Sequence, residues 1–383
     1  MGTVLQPDGK LVAAGFFYGS SNDNSFALAR YGTDGKLDAT FGTGGKVLTT
    51  TFGATSGYAA QAEATAVALQ SDGKIVAAGF TYSEDIAVAR YNSNGSLDTS
   101  FGTGGKVVTN WGSLNDYAYA VAVQSDGKIV VGGYANTNGT FDFAMSRYNS
   151  NGMLDTTFGS NGTVLTDFAF SDDRIAAIKI QSDGKIVAVG RSGGNMAVAR
   201  YTSTGALDAQ FGSGGKVTTD FGGNYDEARA VSIDANGKIV VTGPAGANGD
   251  IGLARYTTAG ALDSKFGSSG KVITDLGTFN DQAAAVAIDG SGKIMIGGYA
   301  GNGFEVVRYS SGGVLDNSFA INGRATTRIG AEPEEVWAIV VQGAQVIAAG
   351  RTSATVGGQL RPGALQQQWH CGYDLWTQSR FSH

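Results

Sequence analysis

The chain has 383 residues, of which 60 are glycine and only 16% are charged. A net charge of −6 and a pI near 5.0 exclude a basic nucleic-acid-binding surface, because no stripe of lysine and arginine is available to displace counterions from phosphates. Both histidines and the one cysteine lie at His370, Cys371 and His383. A Cys/His metal site or a Ser-His-Asp triad is therefore excluded over residues 1–369.

The sequence shows no targeting or membrane-spanning segment. No run of 18 apolar residues is present, which excludes a transmembrane helix. Residues 1–10 have neither a positively charged region nor an apolar region, so we expect no signal peptide.

A repeat runs through the chain, and its first half centres on a turn sequence. Gln70–Val76 reads QSDGKIV and recurs at Gln124–Val130 and Gln181–Val187, with weaker copies that start at Gln6, Asp234, Asp289 and Gln342. An Asp-Gly turn between two short apolar runs is a strong signal for a β-hairpin. The alternation of small and branched residues before the turn, as in Ala120–Val123, predicts a buried inner strand.

The second half of the repeat carries two further motifs. Ala-Arg-Tyr occupies 29–31, 89–91, 199–201 and 254–256, with variants at 146–148 and 307–309. Leu-Asp-x-x-Phe-Gly begins at Leu37, Leu97, Leu154, Leu207 and Leu262, and a sixth copy at Leu315 ends in Ala320. The chain thus holds seven copies of the first half and six of the second. We expect the arginine to pair with the aspartate of Leu-Asp once in every unit.

Four short strands per unit predict an all-β chain with a β-propeller fold. A four-stranded blade buries both faces only against neighbouring blades, so the ring must close. We expect seven four-stranded blades with an incomplete last blade, and six or eight blades remain alternatives. Residues 1–358 would form this single propeller. Residues 359–383 form an atypical tail. One interpretation is that the tail is a natural extension that supplies the missing strands of the last blade. The other is that the chain is a fragment of a longer repeat protein and that the tail does not belong to that protein.

The three motifs in fixed order resemble the delta-60 repeat family of bacterial proteins over about residues 3–351. The resemblance implies propeller blades and a secreted or cell-surface parent protein, and it brings no catalytic residues. The seventh copy departs from the pattern, because Gly343-Ala344-Gln345 replaces Asp-Gly-Lys and no Ala-Arg-Tyr follows.

An acidic residue precedes the inner strand in five units and predicts a ring on one face of the propeller. The ring comprises Asp116, Asp173, Asp226, Asp281 and Glu334. One interpretation is that each carboxylate caps backbone N–H groups of its own crossover loop. The other is that the ring binds a ligand, and that Asp116, Asp173, Asp226 and Asp281 offer oxygen ligands to a hard cation such as Ca²⁺. Asp167, Asp220 and Asp275 are expected on the same side.

Aromatic residues after the second strand, such as Tyr134 and Tyr299, are expected on this same face, where Arg191 breaks the aromatic series. An acidic, aromatic-rimmed surface suits a carbohydrate, peptide or small-molecule ligand. The sequence therefore predicts a monomeric binding or scaffold protein with no cofactor beyond Ca²⁺.

A hydrolase, such as an esterase of small esters, is the alternative function. Gly190–Gly194 matches Gly-x-Ser-x-Gly around Ser192, and His370 would have to fold back from the tail to act as its base. A nucleophile elbow needs a strand followed directly by a helix, whereas residues 196–201 predict a strand.

Overall fold

A computed structural model describes residues 2–352, apart from 18–23, 53–60, 113–114, 138, 169–171, 224, 279–280, 302, 329–333 and 343–344. Within these ranges the chain forms 26 strands and no helix, and hence no helix that could cross a membrane. The strands are β1 (Gly2–Leu5), β2 (Leu11–Phe17), β3 (Ser25–Tyr31), β4 (Lys46–Thr49), β5 (Ala62–Leu69), β6 (Ile75–Thr81), β7 (Ile86–Tyr91), β8 (Lys106–Thr109), β9 (Asp116–Val123), β10 (Ile129–Thr137), β11 (Thr140–Tyr148), β12 (Thr163–Thr166), β13 (Asp173–Ile180), β14 (Ile186–Ser192), β15 (Asn195–Tyr201), β16 (Lys216–Thr219), β17 (Ala230–Ile233), β18 (Ile239–Ala245), β19 (Asp250–Tyr256), β20 (Lys271–Thr274), β21 (Gln282–Ile288), β22 (Ile294–Ala300), β23 (Gly303–Tyr309), β24 (Arg324–Thr327), β25 (Glu334–Gln342) and β26 (Gln345–Thr352).

The strands pair into antiparallel sheets in chain order. Six sheets have four strands each, from β1–β4 (blade 1) to β21–β24 (blade 6), and β25 pairs with β26 alone. The first strand of each sheet contacts the first strand of the next, and β25 contacts β1. The described residues therefore form a β-propeller with six four-stranded blades, and the two-stranded sheet lies between blade 6 and blade 1.

The expectation of seven four-stranded blades is not supported, and six, the alternative count, is what the described residues form. The physical reason is in the repeat itself. Ala-Arg-Tyr forms the end of the third strand, and Leu-Asp-x-x-Phe-Gly leads into the fourth. The seventh copy has the first half only, so it yields two strands. Residues 353–383, including the predicted tail, lie outside the described residues.

The core consists of side chains packed between consecutive blades. Val76 and Val88 of blade 2, for example, lie in one buried cluster with Ile129 and Val131 of blade 3. Phe101 of Leu-Asp-x-x-Phe-Gly is in the same cluster and is fully buried. Burial on both faces explains why so little of the sequence is charged, because an unpaired charge would be costly there.

The repeated arginines connect neighbouring blades, and their predicted pairing with the aspartate of Leu-Asp is confirmed. Arg90 Nε donates to Asp98 Oδ2 at 2.8 Å, its guanidinium lies 4.6 Å from the centre of the Phe101 ring, and its Nη1 donates to the Ser150 carbonyl of blade 3. The same pair with aspartate recurs at Arg30, Arg147, Arg200, Arg255 and Arg308.

A β-bulge interrupts the first strand of most blades and redirects one side chain. The bulge residues are Thr65, Tyr119, Ala176, Ala284 and, in β25, Trp337. A glycine on the second strand lies opposite each bulge. A Cβ on Gly133 would lie 1.7 Å from the Tyr117 carbonyl oxygen, so the bulged backbone leaves room for no other residue.

Candidate functional site

The predicted site residues within the described part of the chain lie at one end of the strands. There the fourth strand of one blade leads into the first strand of the next, so we call this end the crossover face. First and third strands begin at this face, and second and fourth strands end at it. Asp173, Tyr134 and Arg191 all lie within these strand ends, as the repeat predicted.

The four aspartates of the predicted ring are fully buried and do not rim the face. Each accepts a backbone N–H from the residue five positions earlier, at 2.5–2.7 Å: Asp116 from Trp111, Asp173 from Phe168, Asp226 from Phe221 and Asp281 from Leu276. This is the geometry of the loop-capping interpretation. Glu334 begins β25, and its side chain lies outside the described residues.

Two of these aspartates belong to groups of three carboxylates. Asp142, Asp167 and Asp173 form one group, and Asp250, Asp275 and Asp281 form the other. In each group the three oxygens lie within 4.8 Å of one another. Burial raises the pKa of Asp142 to about 6, with a further contribution from Asp167 and Asp173. Among the described residues, Asp116 and Asp226 belong to no such group.

Aromatic rings from blades 2 and 3 form a continuous cluster on the crossover face. Tyr119 stacks on Tyr134 with ring centres 5.5 Å apart and planes inclined by 15°. Arg174 of blade 4 lies over the Tyr134 and Phe141 rings at 4.7 and 4.5 Å. We call this cluster the aromatic platform; its members are Phe80, Tyr117, Tyr119, Tyr134, Phe141 and Arg174.

Tyr134 was among the predicted site residues, and Phe80 belongs to the predicted aromatic series after the second strand. Tyr117, Tyr119 and Arg174 were missed because they belong to inner strands that read as buried. The sequence nevertheless contained a signal of the platform, because the residue types at these positions differ from blade to blade. The residue two positions before the bulge, shown with its cross-strand partner, is Glu63–Phe80, Tyr117–Tyr134, Arg174–Arg191 or Gln282–Tyr299. The equivalent pair in blade 5 is Glu227–Pro244.

The remaining predicted residues lie around the platform or apart from it. Arg191 pairs with Arg174 across the sheet and lies 5.2 Å from the Tyr225 ring centre. Tyr299 is on blade 6, between Gln282 and Phe304 of the neighbouring strands. Blade 5 therefore lies between Tyr299 and Arg174, the platform residue of blade 4.

Ser192 lies in a strand hairpin. It ends β14 and is followed by Gly193 and Gly194, both with positive φ, and then by β15. The strand-to-helix turn of a nucleophile elbow is not present at this serine. His370 lies outside the described residues, so the pairing of Ser192 with His370 stays a prediction.

Comparison with known proteins gives a family and a fold. The sequence profile of a β-propeller family, described as a domain of unknown function (DUF5122), matches residues 6–41, 70–101, 124–158, 181–211, 235–266 and 290–319. The match supports a β-propeller repeat family without the narrower delta-60 assignment. No curated protein matches the chain.

Two solved structures share the architecture. Virginiamycin B lyase from Staphylococcus aureus is 14% identical, with a TM-score of 0.54 over 91% of this chain and 90% of that one. Sqt1 from Chaetomium thermophilum is 11% identical, with a TM-score of 0.53 over 91% and 92% of the two chains. At such identities the likeness concerns the fold alone, because propellers host many unrelated functions.

Proposed function

Since this chain belongs to the DUF5122 β-propeller family, we propose that it is a binding protein whose crossover face takes a carbohydrate on the aromatic platform. The observation that carries the proposal is the platform itself. Its aromatic residues are at positions where the residue type varies between blades. The turns, the paired arginines and the phenylalanines of Leu-Asp-x-x-Phe-Gly, in contrast, repeat. Residues that repeat in every blade hold the ring together, so the features unique to blades 2–4 are where a specific ligand is recognised.

The platform offers both an apolar surface and polar groups. Tyr119 is 37% exposed although it stacks on Tyr134. Tyr117 donates its hydroxyl hydrogen to Glu84 Oε1 at 3.2 Å, and the Tyr82 hydroxyl donates to Glu63 Oε1 at 2.6 Å. Flat rings pack against the C–H faces of sugars, while carboxylates and phenols hydrogen-bond the hydroxyls at the ring edge.

The test is calorimetric titration of the full chain with neutral oligosaccharides of glucose, xylose and N-acetylglucosamine. We expect at least one series to bind at a single site. Tyr119→Ala should weaken that binding at least tenfold, because the exposed stacking surface is lost. Tyr119→Phe should retain most of the affinity, because the ring remains.

The matched control is Tyr225→Ala. Tyr225 is also on the crossover face and is 42% exposed, but it contacts Arg191 rather than the platform. Its loss should leave the affinity unchanged. Failure of every oligosaccharide to bind, or equal effects of the two alanine variants, would overturn the proposal. Turnover of a short-chain p-nitrophenyl ester that Ser192→Ala abolishes would instead favour the hydrolase hypothesis.

A further inference from the structure

Three positions meet at each blade junction on the crossover face. The first directly precedes the part of the third strand that pairs with the fourth strand. The second follows the fourth strand, and the third begins or directly precedes the first strand of the next blade. At the junction of blades 3 and 4 all three are aspartate, and the same holds at the junction of blades 5 and 6. We call Asp142, Asp167 and Asp173 the first triad, and Asp250, Asp275 and Asp281 the second triad.

Two other junctions have an amide at one of the three positions. At the junction of blades 2 and 3 the residues are Asp85, Asn110 and Asp116, and Asn110 Nδ2 donates to Asp85 Oδ1 at 2.8 Å. At the junction of blades 4 and 5 they are Asn195, Asp220 and Asp226. An amide supplies a hydrogen-bond donor between carboxylates, whereas three ionised aspartates supply acceptors only.

The second triad leaves one of these acceptors unsatisfied. Asp250 is 6% exposed, and its Oδ1 is buried with no hydrogen-bond partner. Among the described residues Asp250 also forms no salt bridge. One of its two carboxylate oxygens lies within 4.8 Å of a carboxylate oxygen of Asp275 and of one of Asp281. A buried carboxylate oxygen beside two other carboxylates is strongly unfavourable unless a positive charge or a donor reaches it.

The spacing of the oxygens fits one kind of positive charge. Ca²⁺ binds oxygen ligands at 2.3–2.6 Å, so two ligands of one ion are at most about 5 Å apart, and both triads meet that limit. Carboxylates are preferred ligands of this hard cation, which takes six to eight oxygens and completes its shell with carbonyls and water. We propose that the second triad binds one Ca²⁺ ion at the junction of blades 5 and 6.

Such an ion would join two blades. Asp250 and Asp275 belong to the third strand and the fourth-strand end of blade 5, while Asp281 directly precedes the first strand of blade 6. Asp281 also caps the crossover loop through Leu276 N. Ca²⁺ therefore stabilises the ring at this junction, independently of any ligand on the aromatic platform.

The test uses the full chain, freed of metal with EDTA and then titrated with Ca²⁺ in a calorimeter. We expect at least one ion per chain and a rise in Tm with Ca²⁺, because a ligand that binds only the folded state stabilises it. Asp275→Asn should reduce the number of bound ions by one and make the rise in Tm smaller. The matched control is Asp220→Asn, at a junction that already holds Asn195, and it should change neither quantity.

The Asp275→Asn variant is expected to fold without the ion, because an asparagine at this position recreates the arrangement of Asn110, whose amide donates to a neighbouring aspartate. Absence of Ca²⁺ binding at millimolar concentration, or a number of bound ions that Asp275→Asn leaves unchanged, would overturn the proposal.

Discussion

Arg200 shows how one repeated side chain joins two blades. Its Nε donates to Asp208 Oδ2 at 2.9 Å, its Nη1 donates to the Thr258 carbonyl of blade 5 at 2.5 Å, and its guanidinium lies 4.6 Å from the Phe211 ring centre. Arg200→Ala removes the buried one of two cationic partners of Asp208, whose other partner is the more exposed Lys185. We expect a loss of about 3–5 kcal/mol in the free energy of unfolding. Urea denaturation followed by circular dichroism measures this loss.

Arg308 provides the matched control for that substitution. It pairs with Asp316 and stacks on Phe319, but among the described residues no carbonyl of a following blade accepts its Nη1. Its side chain is 21% exposed, whereas that of Arg200 is 5% exposed. Arg308→Ala should therefore cost only about 1–2 kcal/mol. Equal losses in the two variants would show that the contact with the next blade contributes nothing.

The bulge of the first strand requires glycine at the facing position of the second strand. A Cβ at Gly190 would lie 1.8 Å from the Arg174 carbonyl oxygen, which the bulge pushes into that space. Gly190→Ala should therefore cost more than about 3 kcal/mol or prevent folding. Gly127, in a hairpin turn with φ of 83°, has no atom within 4 Å of the same position. Gly127→Ala should cost about 1 kcal/mol, and thermal melts of the two variants compare them.

What the sequence predicted correctly was the repeated part of the blade. The hairpin turn and the arginine–aspartate pair each depend on local chemistry that recurs in all six blades. The turn is Asp-Gly in four blades, Asn236-Gly237 in blade 5 and Ser291-Gly292 in blade 6. The bulge was not predictable, because one extra residue in an alternating strand hardly changes the pattern. Tyr119 is itself the bulge residue of β9, so its lack of a cross-strand partner could not be predicted either.

The acidic positions show a second limit on what the sequence alone can predict. Their alignment at the start of the first strands was readable, but whether Asp173 faces solvent or caps its own loop depends on the path of the crossover. The grouping of Asp142 with Asp173 joins a third strand to the next blade, and no local pattern reports such a contact. Seven blades were preferred because the first half of the repeat occurs seven times, although the second half occurs six times and limits the four-stranded blades to six.

At the scale of the whole molecule, the two-stranded sheet closes the ring. Ile339 of β25 lies in a buried cluster with Met295 and Val306 of blade 6. Ala349 of β26 lies in another with Leu11 and Ala13 of blade 1. Two strands thus contact both ends of the six-bladed array, and their removal would expose an apolar face on each side.

Ile339→Ala tests whether this closure stabilises the propeller. The change leaves a cavity at the junction with blade 6, so we expect a loss of about 2–5 kcal/mol in the free energy of unfolding. Chemical denaturation followed by circular dichroism reports the six blades, because almost all of the described β-structure is in them. The control is Val314→Ala at a position that is 67% exposed, which should change stability by less than about 0.5 kcal/mol. If Ile339→Ala also changed the free energy of unfolding by less than about 0.5 kcal/mol, the packing of β25 against blade 6 would not stabilise the propeller.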